Sequence, residues 1–391
     1  MKEGIATIAE KNRIINNIIE AITTRDHFLL IGHKNPDEDC IASMVAFSLL
    51  LSKFYKKAHL VICGKVHPHF QYLLNICRYN SIEIVEDCRK IPENISTIII
   101  VDTPKSSMLQ KFPGSSSILS DGNILKIEID HHLEADSDYI GDNGYCLVDE
   151  ASSASELVGI IAFKLKNRTR LLETHQVFEL FSRNFVLAVL TGIIGDSKMG
   201  KYLKTNREKW FYRNFSNMFN QLLSKKTHKD SKNLSTMKEV FDELEKLSEK
   251  EDACSRYMMK RKNSCSSVIR SVVLKPADME YLKVNYDHET IITVARYTAD
   301  KLAEESGYLS LVVYYDDPDI SNLIQFRMRR SHYFKNLDLR KVIDHFSIEN
   351  GGGHPGAIGF RIDRDLIENI DEYVNLLISG TEALVKANKE A

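Results

Sequence analysis

Five short β-rich runs lie in the first third of the chain, HFLLI (27–31), HLVIC (59–63), IEIV (82–85), TIIIV (97–101) and LKIEI (125–129), and HFLLI, HLVIC and TIIIV are apolar almost without interruption. A strand with one wet face alternates apolar and polar residues. A run that is apolar at successive positions needs cover on both faces. Helical patterns at 41–55, 153–166 and 176–190 can supply that cover, and Ser153-Ala154-Ser155-Glu156 fits a capping box at the start of the second. Together they predict βαβ units and an α/β fold with a mainly parallel, doubly wound sheet. Such sheets take ligands at the carboxyl ends of their strands, so the residues just after each run carry the functional weight.

From about 213 to 265 the composition shifts to Lys, Glu, Ser and Asn with little apolar weight, which reads as a helical, solvated connector. Beyond it, SVIRSVVL, LSLVVYY and NLIQFRM alternate with helical RYTADKLAEES and LRKVIDHF. The expected organisation is a first domain at 1–212, the connector at 213–265 and a smaller α/β domain at 266–391. A formal net charge of −2 in 391 residues argues against a broadly basic clamp for long duplex nucleic acid. No apolar stretch approaches the roughly 18 residues that a membrane span needs, and the start of the chain lacks a signal-peptide core. Seven scattered cysteines without a CxxC pair suggest neither a disulfide framework nor a zinc ribbon. A reduced, cytoplasmic protein is the expectation.

Acids and histidines gather at the expected strand ends. IGHKNPDEDC places His33, Asp37 and Asp39 after the first run. In an extended loop the two aspartates would point the same way, because side chains alternate with period two. Asp102 closes TIIIV, Asp130-His131-His132 close LKIEI, and Asp196 in TGIIGDS is expected after an apolar helix and turn. Oxygen and imidazole donors without thiolate suit Mn²⁺ or Mg²⁺ better than structural zinc. Cys40, beside Asp39, reads as the start of a packed helix. Near the other end, Asn350-Gly351-Gly352-Gly353-His354 could form a nest of backbone amides for an anion, with His354 as a further donor.

H-x-x-x-D-x-D, a strand-end Asp, D-H-H, a later Asp and G-G-G-H, in this order over 25–212 and 266–379, resemble the DHH/DHHA1 phosphoesterase family. Within it, the size and layout are similar to the nanoRNase/pAp-phosphatase and cyclic-dinucleotide phosphodiesterase group. The resemblance implies a two-manganese site, with Mg²⁺ as the other candidate. One ion would take His33, Asp37 and Asp102; the other would take Asp39, Asp102 as a bridge, His131 and Asp196. Four aspartates against two divalent cations leave the centre near neutral, able to accept a phosphate, and two ions about 3.5–4 Å apart can stabilise an in-line phosphoryl displacement. Asp130 would orient a ligand imidazole. His132 would contact the phosphate or protonate the leaving oxygen. Relatives carry Arg-Ser where this chain has Arg330-Ser331, so Arg330 is expected on a phosphate or base.

The implied activity is hydrolysis of short RNA or small nucleotides such as pApA and pAp, with a cyclic-dinucleotide phosphodiesterase as the alternative. The second domain would hold the distal nucleotide and close over it through the connector. Whether the chain works as a monomer or a homodimer stays open. Relatives show D-G-D-S-x-G where this chain reads Asp37-Glu38-Asp39-Cys40-Ile41-Ala42. Glu38 is expected to face solvent. Ser197-Lys198 replace a Thr-Gly, and Lys198 is either an additional phosphate contact or simply exposed.

Overall fold

The computed structural model describes residues 2–63, 66, 68–133, 137–224, 237–244, 246–263 and 266–390. They form two compact units, 1–246 and 247–391. In the first, the elements follow in the order α1 (Ile8–Thr24), β1 (Phe28–Ile31), α2 (Glu38–Lys53), β2 (Ala58–Val61), α3 (Gln71–Tyr79), β3 (Glu83–Val85), β4 (Thr97–Val101), α4 (Ser115–Ser120), β5 (Leu125–Asp130), β6 (Cys146–Val148), α5 (Ala154–Lys166), α6 (Thr169–Thr174), α7 (Arg183–Ser197), α8 (Asn206–Ser224) and α9 (Met237–Leu244).

The strands form one wholly parallel sheet in the order β3-β2-β1-β4-β5-β6. Alternate residues of each central strand enter different cores. Phe28, Leu30, Ile99 and Val101 join the helices α2, α5 and α7, whereas Leu29, Ile31, Ile98 and Ile100 pack with Leu109 and Phe112. That two-sided burial is why the runs read as continuously apolar. The chain winds outward from β1 through β2 to β3, then restarts at β4 on the other side of β1. The crevice between the carboxyl ends of β1 and β4 is therefore the topological switch point, where doubly wound sheets bind ligands.

Three local expectations need correction. The third helix runs over 183–197 instead of 176–190, so Asp196 lies in its last turn and not beyond it. Burial explains the extension: residues from Phe185 to Gly195 are buried, packed on α2 and α5, and this packing outweighs the low helix propensity of Gly192 and Gly195. Second, the segment read as a solvated connector is divided between the units. Phe211, Phe215 and Phe219 of α8 and Val240 of α9 are buried in the first core, because aromatics spaced by four share one helical face. Third, Cys63 and Cys88 are disulfide-paired, joining the end of β2 to the segment after β3 across 25 residues.

The second unit contains α10 (Glu249–Met259), β7 (Lys262–Asn263), β8 (Ile269–Val273), α11 (Pro276–Asn285), α12 (His288–Ser306), β9 (Leu309–Tyr315), β10 (Leu323–Arg330), α13 (Arg340–His345), β11 (Gly351–His354), β12 (Ala357–Asp363) and α14 (Ile370–Glu390). Its sheet, β11-β12-β10-β9-β8-β7, is antiparallel except where β8 meets β9. Cys254 and Met258 of α10 pack with α12 on one face, and Leu377 of α14 lies in the core on the other. Among the described residues no helix is long and apolar enough to cross a membrane.

Candidate metal centre

Asp37 caps α2: its carboxylate accepts the Cys40 N–H at 3.2 Å. Aspartate is a preferred N-cap, so the helix begins at Glu38, and Asp39 sits on its first turn, not in an extended loop. The two carboxylates converge through helix geometry instead of strand alternation. Asp39 is fully buried and receives the N–H groups of Ala154 at 2.5 Å and Ser155 at 3.0 Å, from the first turn of α5. An anion at a helix N-terminus satisfies donors that have no intrahelical partner. The Ser153 hydroxyl caps that helix as expected, accepting the Glu156 N–H, while the Glu156 carboxylate turns to Ser152 instead.

Asp102 occupies the switch point itself. Its φ is 47°, in the left-handed region that non-glycine residues seldom visit and that functional sites tolerate. Its Oδ2 lies 3.6 Å from His33 Nε2, which is also 3.6 Å from Asp37 Oδ1. Its Oδ1 lies 3.3 Å from His131 Nε2, which is in turn 3.3 Å from Asp196 Oδ2 and 3.9 Å from Asp39 Oδ2. One aspartate thus stands between two acid–imidazole groups. Ligand atoms about 2.1 Å from a shared ion and at right angles are about 3 Å apart, so both groups have the spacing of a coordination shell. Among the described residues Asp102 Oδ1 has no hydrogen-bond donor although it is buried, which suits a cation ligand. All six expected ligands therefore come together. Cys40 starts a buried helix, as expected, and its sulfur also lies within 4.8 Å of the donor atoms of His33 and Asp102.

The electrostatics suit a site for positive charge. Burial, followed by the Asp102 charge, pushes the Asp39 carboxyl up to about 7. Burial and Asp39 also raise Asp196 well above the usual range. Burial works the same way on Asp102, but the imidazoles of His131 and His33 outweigh it and hold that carboxyl low. Burial disfavours the His131 imidazolium, yet Asp102 and Asp196 more than offset it and raise its pKa. Raised groups stabilise the fold below their unfolded pKa and lose that contribution as pH rises through the folded value. The metal-free protein should therefore lose melting temperature as pH rises from about 4, the Asp reference value, through the Asp39 value of about 7. Mn²⁺ should recover more of it at pH 8 than at pH 5. Asp39→Asn should flatten the metal-free slope in calorimetry; an unchanged slope would contradict the burial argument.

Asp130 supports a different imidazole from the one expected. Its Oδ1 accepts the His132 ring at Nδ1 (2.7 Å) and the His131 backbone N–H (2.9 Å), while the His131 ring turns Nδ1 toward the Ala151 carbonyl at 3.3 Å. A residue absent from the sequence reading completes this layer. The Lys2 ammonium, buried, reaches Asp130 Oδ2 at 2.6 Å, Glu128 Oε1 at 2.6 Å and the Thr103 carbonyl at 2.7 Å. Burial acts upward on Asp130, but His132 and Lys2 overcome it and hold its carboxyl at about 2. Glu38, expected in solvent, is half-buried: a Cβ at Gly195 would lie 2.6 Å from its own Cβ, so α2 and α7 touch there. Lys198 is the left-handed cap of α7, at φ 45°.

In the second unit the glycines do not form a loop nest. Gly351–His354 is an edge strand paired with β12. Gly353 has φ 141°, and a Cβ there would meet the Ala357 carbonyl oxygen at 2.2 Å, so this close hairpin requires glycine. The Arg330 guanidinium donates to the Leu337 carbonyl at 2.7 Å and holds its own loop. Ser331 is fully buried, with its hydroxyl 3.4 Å from Glu304. A strand-end Arg-Ser serves local structure as readily as a ligand, and the sequence could not separate the two.

The fold and site together define a doubly wound α/β domain with a carboxylate–histidine centre at its switch point. Residues 27–193 match the DHH family, N-terminal domain. The chain is 28% identical over 194 residues to the cyclic-di-AMP phosphodiesterase PdeA of Listeria monocytogenes, covering 48% of this chain and 27% of that protein. It is 34% identical over 104 residues to a probable manganese-dependent inorganic pyrophosphatase of an Exiguobacterium species, 27% of this chain and 30% of the relative. These matches span less than a third of either relative's length. Over nearly the whole length, the fold is similar to that of an exopolyphosphatase-related protein from Bacteroides fragilis, with a TM-score of 0.65 at 18% identity, covering 96% of this chain and 98% of that one.

Proposed function

We propose that this chain is a divalent-metal-dependent phosphoric ester hydrolase acting on small nucleotides or very short RNA. The observation that carries the reading is Asp102, with its two oxygens 3.3 Å and 3.6 Å from the imidazoles of two separate acid–histidine groups. His33, Asp37 and Asp102 would hold one ion; Asp39, Asp102, His131 and Asp196 would hold the other. Manganese is favoured by oxygen and imidazole donors and by the manganese-dependent relatives. When bound, the ions supply neutralising charge and Lewis acidity toward a phosphoryl group. The chain's own residues then orient and move protons. His132, held at Nδ1 by Asp130, would present Nε2 to a phosphate or leaving oxygen. In the second unit, Gly351, Gly352, Gly353 and His354 remain the candidate nucleotide contacts, now as an edge strand. Lys198, Arg330 and Ser331 are weaker candidates, for the local roles described above.

Similarity to a cyclic-di-AMP phosphodiesterase over 194 residues favours a second reading, in which the ring of a cyclic dinucleotide is opened to its linear form. Purified protein with Mn²⁺ or Mg²⁺ should be incubated with pAp, pApA, short RNA, cyclic dinucleotides and pyrophosphate, and the products separated by chromatography. The expected result is Mn²⁺-dependent release of mononucleotide or phosphate from a small nucleotide. A linear product from the cyclic substrate alone would select the second reading. Turnover of pyrophosphate alone, or of nothing, would refute both.

A further inference from the structure

We propose that Lys2 is a positioning residue of the metal centre: its ammonium fixes the Asp130 carboxylate and the Thr103 carbonyl, and through them the settings of His132 and His131. The inference rests on the metallohydrolase reading of the same site and adds a residue that lies 128 positions from the carboxylate it holds.

The Asp130 carboxylate divides its oxygens. Oδ1 serves the histidines, taking the His131 N–H and the His132 ring, and Oδ2 takes Lys2 at 2.6 Å. The last torsion of an aspartate is broad and nearly two-fold, so a carboxylate held at one oxygen can pivot. The ammonium on the other oxygen stops the pivot, and with it the drift of His132. Lys2 also bonds the carbonyl of Thr103, which directly follows the proposed bridging ligand Asp102. One cation therefore ties the end of β4 to the end of β5, the two strands that deliver Asp102 and His131.

Lys2 is itself held. Glu128 Oε1 meets it at 2.6 Å, while Glu128 Oε2 receives the N–H groups of Ile140 and Gly141, both at 2.8 Å. The flanking backbone is strapped down by Lys2 N–H to Ser137 Oγ at 3.0 Å and by Glu3 N–H to the Tyr139 hydroxyl at 3.1 Å. A buried ammonium fixed from behind and aimed at the carboxylate that holds the His132 ring and the His131 backbone N–H has the geometry of an outer-layer metal partner. Removal of such partners lowers metal affinity or activity by about tenfold to a hundredfold.

The test uses the full chain as Lys2→Met, Glu128→Gln and the double variant. Mn²⁺ affinity is read by calorimetry, melting temperature without metal, and kcat and KM on whichever nucleotide the wild type hydrolyses. Positioning predicts that Lys2→Met loses about tenfold or more in Mn²⁺ affinity and in kcat with KM little changed. Glu128→Gln removes only the charge behind Lys2 and leaves Asp130 Oδ2 its ammonium, so its losses in affinity and kcat should be clearly smaller than those of Lys2→Met, whatever its melting temperature. If Lys2→Met fails to fold, the double variant removes one charge of each sign and still leaves Asp130 Oδ2 without its ammonium; it should show the same two losses. Wild-type Mn²⁺ affinity and kcat in either folded Lys2 variant would overturn the proposal. So would losses of equal size in Glu128→Gln, since they would mark a purely structural ion pair. Mn²⁺ affinity needs no substrate, so a wild type that binds Mn²⁺ and hydrolyses nothing would defeat the functional reading while Lys2 was still being tested.

Discussion

Asp102→Ala is expected to abolish turnover, lowering kcat by at least about 10²–10³-fold, the range for removing one preorganised charged or polar group from a reaction centre. The effect should exceed that of any other single proposed ligand, because Asp102 faces His33 with one oxygen and His131 with the other. Its loss would leave His33 and Asp37 on one side, and Asp39, His131 and Asp196 on the other, with nothing between them. Asp102→Asn is the sharper form, keeping the volume while removing the charge. In steady-state assays over a range of Mn²⁺, excess metal should not restore the rate. A non-catalytic nucleotide-binding module would instead keep its nucleotide affinity after the substitution and show no turnover before it. Substantial activity in Asp102→Asn would remove the basis for a bridged centre.

Gly192→Ala should be the most damaging of the small substitutions. In an open helix interior, alanine in place of glycine gains about 1 kcal/mol. Here the added Cβ would lie 2.1 Å from Ser155 Oγ and 2.3 Å from Asp39 Oδ1. Both atoms are buried, and Asp39 is already held by the α5 amides, so neither can swing away at little cost. Overpacking of this kind costs about 1–3 kcal/mol, enough to cancel the helical gain. The displaced atom is a proposed ligand oxygen, so Mn²⁺ affinity should fall by about tenfold or more, with the melting temperature unchanged or lower. A variant that melted higher and bound Mn²⁺ normally would show that α2, α5 and α7 do not meet as tightly as described.

What the sequence made legible follows from how each feature is encoded. The first sheet was readable because strands buried on two faces leave continuous apolar runs, and the acids that follow them could be placed at the sheet's rim without knowing a side-chain angle. Asp102, His131 and the 33–39 cluster were found this way. Local geometry was less accessible. Whether Asp37 and Asp39 converge by strand alternation or around a helix start turns on one capping bond, from the Cys40 N–H to Asp37. The glycines of 351–353 permit either a nest or a close-packed strand, and only the register with β12 decides for the strand. The aromatics of α8 were present at helical spacing, but the Lys- and Glu-rich composition around them masked one buried face. Lys2 had no local signal at all. Its partners Thr103, Glu128 and Asp130 lie more than 100 residues away, and a lysine at the start of a chain resembles any solvated one.

Counting the metal is the most direct examination of the central claim. Titration of the metal-free protein with Mn²⁺, followed by calorimetry and electron paramagnetic resonance, should give two ions per chain, magnetically coupled through a shared carboxylate. The coupling should vanish in Asp102→Asn. One uncoupled ion per chain, or two whose spectrum ignores that substitution, would contradict a centre bridged by Asp102.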